Sequence, residues 1–323
     1  MTSLTLTPCQ AKALHLLVGD ENVFLTGAAG TGKSELLRQY LRGKGRTDYP
    51  ILASTGAAAM IVDGRTFHSF FGLGIMEGGR EATVVRALRN RQVRRRLNRA
   101  KCIVIDEVSM LSGEVLATAE EIARCAREDI VPWGGLRVIA VGDFAQLPPV
   151  QPQGEAKDWA FLHPIWQTTC FQSAYLDTPI RTKDDRLLRV LDSVREGKVT
   201  DEVYTFLTER TTPADPLFEG TILFPHRTST DAYNMNRLQR ISGQLHQFAT
   251  VYEGNNRFIE QLQKQCPIPP VLRLKIGALV MLRKNDASYP YAYVNGSLGI
   301  VHTIEDDVLH IELLCGQQIE IEK

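Results

Sequence analysis

The segment Gly27, Ala28, Ala29, Gly30, Thr31, Gly32, Lys33, Ser34 fits the pattern G-x-x-x-x-G-K-[ST], with an apolar run before it and helical spacing after it. In such a segment the glycines let backbone N–H groups turn toward phosphate oxygens. The helix that follows adds positive partial charge at its start. Lys33 would reach the β- and γ-phosphates, and the Ser34 hydroxyl would help to hold Mg²⁺. Asp106 and Glu107 end the apolar run "CIVIDE". A carboxylate at the carboxyl end of a parallel strand lies beside a phosphate loop, so Asp106 is expected to hold the metal's water shell. Glu107 is expected to orient and deprotonate an attacking water. An acidic pair after an apolar run is, alone, an ordinary solvated turn. Together with the loop it reads as hydrolysis of a nucleoside triphosphate.

Two amides extend this reading. The stretch "VGDFAQLPPV" from Val141 to Val150 follows another apolar run and carries Asp143 and Gln146 to the same sheet rim. An amide can bond a terminal phosphate and so report its presence. Pro148 and Pro149 would stiffen the backbone that passes the report on. The alternative is a stiff surface loop with no such role. Gln10 lies just upstream of the first strand, and its amide suits an adenine edge, although taken alone it reads as a surface residue of a helix.

These residues need a scaffold. "NVFLTG", "PILAST", "KCIVIDEV" and "GLRVIAVGDF" are continuous apolar, β-branched runs separated by helical patterns. Runs of that kind mark a parallel sheet covered on both faces, an α/β domain over residues 1–178. A second α/β section is expected over 184–268. In it "DDRLLRVLDSVREG" and "STDAYNMNRLQRI" read as helices and "GTILFPHR" as a buried strand. From Leu272 the pattern changes to short strands with turn residues, and Asn295-Gly296 is a hairpin signal. This reads as a small β-barrel segment over 270–323.

The 323 residues carry 37 basic and 37 acidic side chains, so net charge alone names no polyanionic partner. The distribution is uneven. From Arg80 to Lys101 nine basic residues face one acid, Glu81, within an insertion over about 75–101. This segment reads as a nucleic-acid contact in preference to a solvated helix face. The six cysteines form no C-x-x-C pair, which speaks against a zinc site or a disulfide framework and for a reducing compartment. No secretory signal or bilayer-length apolar run is visible.

In order, the chain reads "LTPCQAKAL", "GAAGTGKS", "STGAAAMIVDGRTFHSFFG", "IVIDEVSML", "VGDFAQLPPV" and "LDTPIRT". This series resembles superfamily-one DNA helicases, and within them the PIF-type and RecD-like 5′→3′ group. The resemblance extends into "LKIGALVMLRKN…VNGSLGIV" and so spans nearly the whole chain. It implies a RecA-like P-loop domain, a partial second RecA-like domain and a truncated SH3-like barrel. The implied activity is ATP-dependent, 5′→3′ movement on single-stranded DNA with duplex unwinding, in repair, recombination or replication. ATP and Mg²⁺ would be its cofactors, and single-stranded and forked DNA its partners. The protein would act as a monomer, in the cytoplasm or, in a eukaryote, in the nucleus or mitochondria.

By the same resemblance Gln10 reads adenine, Lys33, Ser34, Asp106 and Glu107 form the hydrolysis set, and Gln146 senses the γ-phosphate. Arg181 contacts that phosphate across a domain cleft; the family carries glutamine after it, where this chain has Thr182. Thr55, Gly56, Thr66 and His68 match segments that track single-stranded DNA. Phe67, Phe70 and Phe71 read first as core, with base stacking as the alternative. Segments similar to "T-x-H-K-S-Q-G" and "Y-V-A-L-S-R", which complete the family's ATP site, do not occur. A nucleotide-dependent single-strand-binding module with little or no unwinding therefore stays open as the other expectation.

Overall fold

Thr7 starts the first helix. Its hydroxyl accepts from the Gln10 backbone N–H while the Gln10 side chain reaches back to the Thr7 N–H, a capping box with Pro8 in the first turn of α1 (Pro8–Val18). The far end of α1 is closed by a distant side chain. Arg137 donates to the carbonyls of Leu16, Leu17 and Glu21 at 3.2, 3.0 and 2.8 Å, which satisfies groups that a helix end leaves open. The computed structural model describes residues 6–54, 59, 62, 64–151, 154, 156–213, 222–252, 259, 269–283, 286, 292–293, 296–305 and 308–322.

After α1 come β1 (Val23–Gly27), α2 (Lys33–Leu41), β2 (Ile51–Ala53), β3 (Arg65–Thr66) and α3 (Phe67–Phe71). The basic segment follows as α4 (Gly79–Arg89) and α5 (Arg91–Arg99). Next are β4 (Cys102–Asp106), α6 (Gly113–Arg127), β5 (Arg137–Val141), α7 (Pro164–Thr168) and β6 (Gln172–Leu176). The six strands form one sheet in the order β3-β2-β4-β5-β1-β6, and every pairing is parallel. Successive residues of β4 explain the continuous apolar runs. Cys102 and Val104 pack into one buried cluster with Leu17, Leu36 and Leu37, while Ile103 and Ile105 pack into another with Phe67, Phe71 and Trp133. A sheet covered on both faces leaves neither set of alternate positions free to be polar. Burial pushes the Cys102 thiol up to about 12, so it behaves as a small apolar side chain.

Phe67, Phe70 and Phe71 are core residues, with Phe71 packed edge-on against Trp133. Their burial removes them from any base, so the stacking alternative is set aside. Helix α5 is amphipathic: Val93 and Leu97, four apart, are buried, while Arg91, Arg94, Arg95 and Arg99 are exposed and Arg96 is half-buried. Beyond β6 lie α8 (Asp185–Arg195), which ends before Gly197 at φ 72, and α9 (Asp201–Glu209). Compactness divides the chain into Met1–Pro213 and Ala214–Lys323.

In the second unit, α10 (Arg227–Arg240) precedes β7 (His246–Ala249) and β8 (Val271–Leu274), an antiparallel pair. Strands β9 (Leu279–Met281), β10 (Leu298–Ile304), β11 (Val308–Leu313) and β12 (Gln318–Glu322) form an antiparallel sheet around Ala278, Val301, Ile311, Leu313 and Ile319. Gly296, at φ 92, donates to Leu282 and helps to close the β9–β10 pair; Asn295 lies outside the described residues. The buried strand expected in "GTILFPHR" is corrected over its described part. Ile222, Leu223 and Phe224 form no strand, and Leu223 is 90% exposed. An apolar run with no neighbouring strand cannot pair its backbone N–H and C=O groups, so apolarity alone does not make it a strand. Among the described residues no helix is long and apolar enough to cross a membrane.

Candidate nucleotide and strand-binding site

The parallel register brings the chemistry to one rim. Ala53 pairs with Asp106, Ile105 with Ala140, and Leu25 with Val141, so β2, β4, β5 and β1 end side by side. Because β5 lies between β4 and β1, Asp143 and Gln146 emerge between Asp106 and the phosphate loop. That is where ligands bind in open parallel sheets.

The loop is built for close approach. At Gly27, with φ 149, an added Cβ would lie 2.3 Å from the Leu176 carbonyl oxygen of the adjacent strand. At Gly32, with φ 86, it would lie 2.8 Å from Gln10 Nε2 and 2.7 Å from Ile180 Cδ1. Thr31 is buried and its hydroxyl donates to Ala28 O at 2.9 Å, inside the loop Gly27–Gly32 that also holds Ala29 and Gly30. Gln10 is only 3% exposed and donates to Thr31 O at 3.2 Å. The surface-residue reading of Gln10 is therefore replaced. Its amide oxygen is taken by Thr7 N–H and its amide nitrogen props the loop.

Lys33 opens α2 and its ammonium donates to Gly27 O and Ala28 O at 2.8 and 3.1 Å. Burial lowers its pKa, and Asp143 and Glu107 partly offset this. Ser34 is the next residue and is exposed. Asp106 is buried at the end of β4, and its Oδ1 accepts the Glu107 N–H at 3.0 Å. Burial raises the Asp106 pKa; Glu107 is raised by burial first and by the Asp106 charge second. Glu107 itself has φ 53, a left-handed conformation that sets its side chain apart from the strand direction. Crowded, poorly solvated carboxylates beside a lysine suit a cation and a phosphate. Among the described residues no cluster of three or more His, Cys, Asp or Glu could hold a metal alone. Mg²⁺ takes one or two protein ligands and completes its shell with phosphate oxygens and water, and the Ser34 hydroxyl and Asp106 carboxylate are donors of the kind it accepts.

Arg181 is exposed, and the N–H groups of Ile180 and Arg181 both donate to Gly30 O, at 2.9 and 3.1 Å. The segment after β6 thus lies on the phosphate loop. Gln146 is exposed and its Nε2 donates to Asp143 Oδ2 at 3.3 Å.

At the β3 edge, Thr66 caps α3: its hydroxyl accepts the Ser69 N–H at 3.2 Å and keeps its own proton to donate. Burial lowers the His68 pKa, so at neutral pH the ring is an uncharged N–H donor. Thr55 and Gly56 lie outside the described residues. Of the basic run, Arg80 pairs with Glu121, Arg94 with Glu128, and Arg99 and Lys101 with Asp48. Arg86 donates to the carbonyls of Leu73 and Glu77. Arg96 differs. It donates to Ser69 O at 2.6 Å and its buried Nε has no partner; burial and the nearby Arg65 charge lower its pKa to about 10.

Sequence reasoning missed two features. Arg195, at the end of α8, forms an ion pair with the buried Asp143. An arginine in a last helical turn reads as a partner for the helix dipole, so nothing in the sequence pointed elsewhere. Arg65 beside Arg96 was equally invisible, because 31 positions separate them.

A parallel sheet with a G-x-x-x-x-G-K-S loop at its rim and acidic residues on the next strands defines a RecA-like P-loop nucleoside triphosphatase core. Residues 6–202 match the PIF1-like helicase family. The ATP-dependent DNA helicase Pif1 of Bdellovibrio bacteriovorus is 46% identical over 320 residues, covering 99% of this chain and 72% of that protein. The crystal structure of Pif1 helicase from Candida albicans superposes with a TM-score of 0.85 at 30% identity, over 99% of this chain and 79% of that one. Pif1 helicase from Bacteroides in complex with ADP-AlF3 and single-stranded DNA superposes with a TM-score of 0.73 at 27% identity, over 99% and 75%. The chain belongs to the PIF1-like helicase family. It spans 48% of the length of its human relative, also named an ATP-dependent DNA helicase.

Proposed function

We propose that this chain is the ATP-hydrolysing motor of a DNA helicase that moves 5′→3′ on single-stranded DNA and opens duplex at a fork. The observation that carries this reading is the meeting of Lys33, Asp106, Glu107 and Gln146 on one sheet rim, beside the Gly27–Gly32 loop. The Lys33 ammonium exchanges the Gly27 and Ala28 carbonyls for β- and γ-phosphate oxygens. Glu107, whose pKa is raised by burial and by the Asp106 charge, takes the proton of the attacking water in its carboxylate form; a positioned base of this kind is worth about 10²–10⁴ in rate. Ser34 and Asp106 would hold Mg²⁺, which when bound would supply charge neutralisation at the phosphates. Gln146 bonds the terminal phosphate while that group is present, Gln10 holds the loop on the adenine side, and Arg181 adds a cation from the segment lying on the loop.

On the DNA side, Thr66 and His68 donate to phosphates of one strand. Arg65 and Arg96, which form no ion pair among the described residues, add electrostatic affinity without sequence preference. ATP-dependent movement of the elements that touch the phosphate loop is what shifts the strand.

The test is the ATPase rate with and without single-stranded oligonucleotide, for the wild type and Lys33→Ala. Stimulation by DNA and its loss in the variant support the motor. DNA binding that responds to ATP, with negligible turnover in the wild type, would replace it with a nucleotide-dependent binding module. Absence of both ATP and DNA binding would remove either reading.

A further inference from the structure

Asp143 is 2% exposed, and its carboxylate is shared. Oδ1 accepts the Ala145 N–H at 3.1 Å. Oδ2 accepts from Gln146 Nε2 at 3.3 Å and also from Arg195 Nη1. Two donors from different elements therefore share one oxygen, and one of them is the amide proposed to meet the terminal phosphate.

Arg195 belongs to a small body of its own. Helices α8 and α9 enclose Val190, Val203 and Phe206 with Leu187 packed against them, and the pairs Arg186–Glu209 and Arg189–Glu202 clasp the two helices together. Among the described residues, Arg195–Asp143 is the one hydrogen bond or ion pair that joins this helix pair to the sheet domain. Its covalent tether leaves β6 and crosses the phosphate loop, where Ile180 and Arg181 N–H both bond Gly30 O. Both attachments of the helix pair are thus made at the phosphate site.

We propose that Arg195 is a positioning residue for ATP turnover: paired with Asp143, it frees the Gln146 amide for the terminal phosphate and makes the α8–α9 pair follow the occupancy of that site. The physical reason is charge. Without Arg195, Asp143 is a buried anion facing an incoming phosphate anion, and it holds Gln146 to itself. With Arg195, the carboxylate is neutralised and its claim on the amide is weakened. When Gln146 turns to the phosphate, Oδ2 is left to Arg195 alone, so α8 is held more firmly in the triphosphate state than in the diphosphate state. The proposal rests on the hydrolysis reading above and adds the residue that transmits it.

The experiment compares wild type, Arg195→Ala, Arg195→Lys and Asp143→Asn/Arg195→Gln in the 323-residue chain, by DNA-stimulated ATPase and by hydrogen exchange of the α8–α9 segment. Arg195→Ala should lower kcat at least about tenfold with the KM for ATP within about threefold, since loop and lysine are untouched. Arg195→Lys, which keeps the charge, should recover part of that loss. The double variant has no stranded anion and should recover kcat to within about threefold of wild type. It also removes a buried ion pair for a neutral hydrogen bond, so it reports even where Arg195→Ala folds poorly. A kcat of Arg195→Ala within about twofold of wild type, or a loss carried by KM, overturns the proposal. So does a folded double variant as slow as Arg195→Ala, because Arg195 would then act without Asp143.

Exchange separates this from the hydrolysis reading. In wild type, α8 should exchange more slowly with ADP plus beryllium fluoride than with ADP, and in Arg195→Ala the two should be equal. Absence of wild-type ATPase would sink the motor while that comparison still decides the latch. Equal protection in wild type and variant overturns the latch.

Discussion

Replacing Glu107 should make the protein more stable as it stops working. The residue sits at φ 53 and ψ 46, a left-handed conformation that costs a side chain with a Cβ about 1–2 kcal/mol. Burial and the neighbouring Asp106 hold its carboxyl above the ordinary range, so the folded chain keeps this proton to a higher pH than the unfolded chain does. Stability therefore falls as pH rises from the ordinary glutamate value through the raised one, and the whole deficit is present above it. Glu107→Gln removes the charge and keeps the backbone. Glu107→Gly also relieves the Cβ, and after subtracting about 0.5–1 kcal/mol for glycine's freedom in the unfolded chain it should add roughly 0.5–1 kcal/mol more. In a domain of this size each 1 kcal/mol raises Tm by about 2–4 °C. Thermal melts across pH, alongside ATPase assays, provide the measurement. Both variants should melt above wild type at neutral pH. The gain of the glutamine variant should shrink toward acid pH, where wild-type Glu107 is protonated too. Turnover should fall about 10²–10⁴-fold in both. A glutamine variant that melts at or below wild type at neutral pH, or turns over within about tenfold of it, would refute the reasoning.

Further expectations concern the loop, the core and the strand track. Gly27→Ala places a Cβ 2.3 Å from the Leu176 carbonyl oxygen. It should cost about 2–4 kcal/mol in urea denaturation and abolish binding of a fluorescent ATP analogue. Phe71→Ala should cost about 3–5 kcal/mol, because the ring is fully buried against Trp133 and Phe67, while DNA affinity of the folded fraction stays near wild type. Arg96→Gln should lower the log–log salt slope of single-strand binding by about 0.7 with little change in Tm; an unchanged slope would remove Arg96 from the track.

Much of this protein was legible in order along the chain. The G-x-x-x-x-G-K-S spacing and the acidic pair closing "CIVIDE" depend on neighbours within a few residues, where local geometry and sequence coincide. Continuous apolar runs marked a sheet covered on both faces: successive residues of β4 face different clusters. The run "ILF" in residues 222–224 shows the limit, since a strand also requires a partner to pair with.

Strand order, and what it brings together, came only from the tertiary structure. The sequence determined which residues have phosphate chemistry and that parallel strands would carry them. Packing decided that β5 lies between β4 and β1, so that Asp143 stands between Asp106 and the loop. It buried Gln10 against Thr31, set Arg65 beside Arg96, and joined Arg195 to Asp143 across 52 positions. A buried carboxylate must find a cation, but any of the chain's basic residues satisfies that demand equally in one dimension. Only the three-dimensional arrangement of desolvated groups selects which one does.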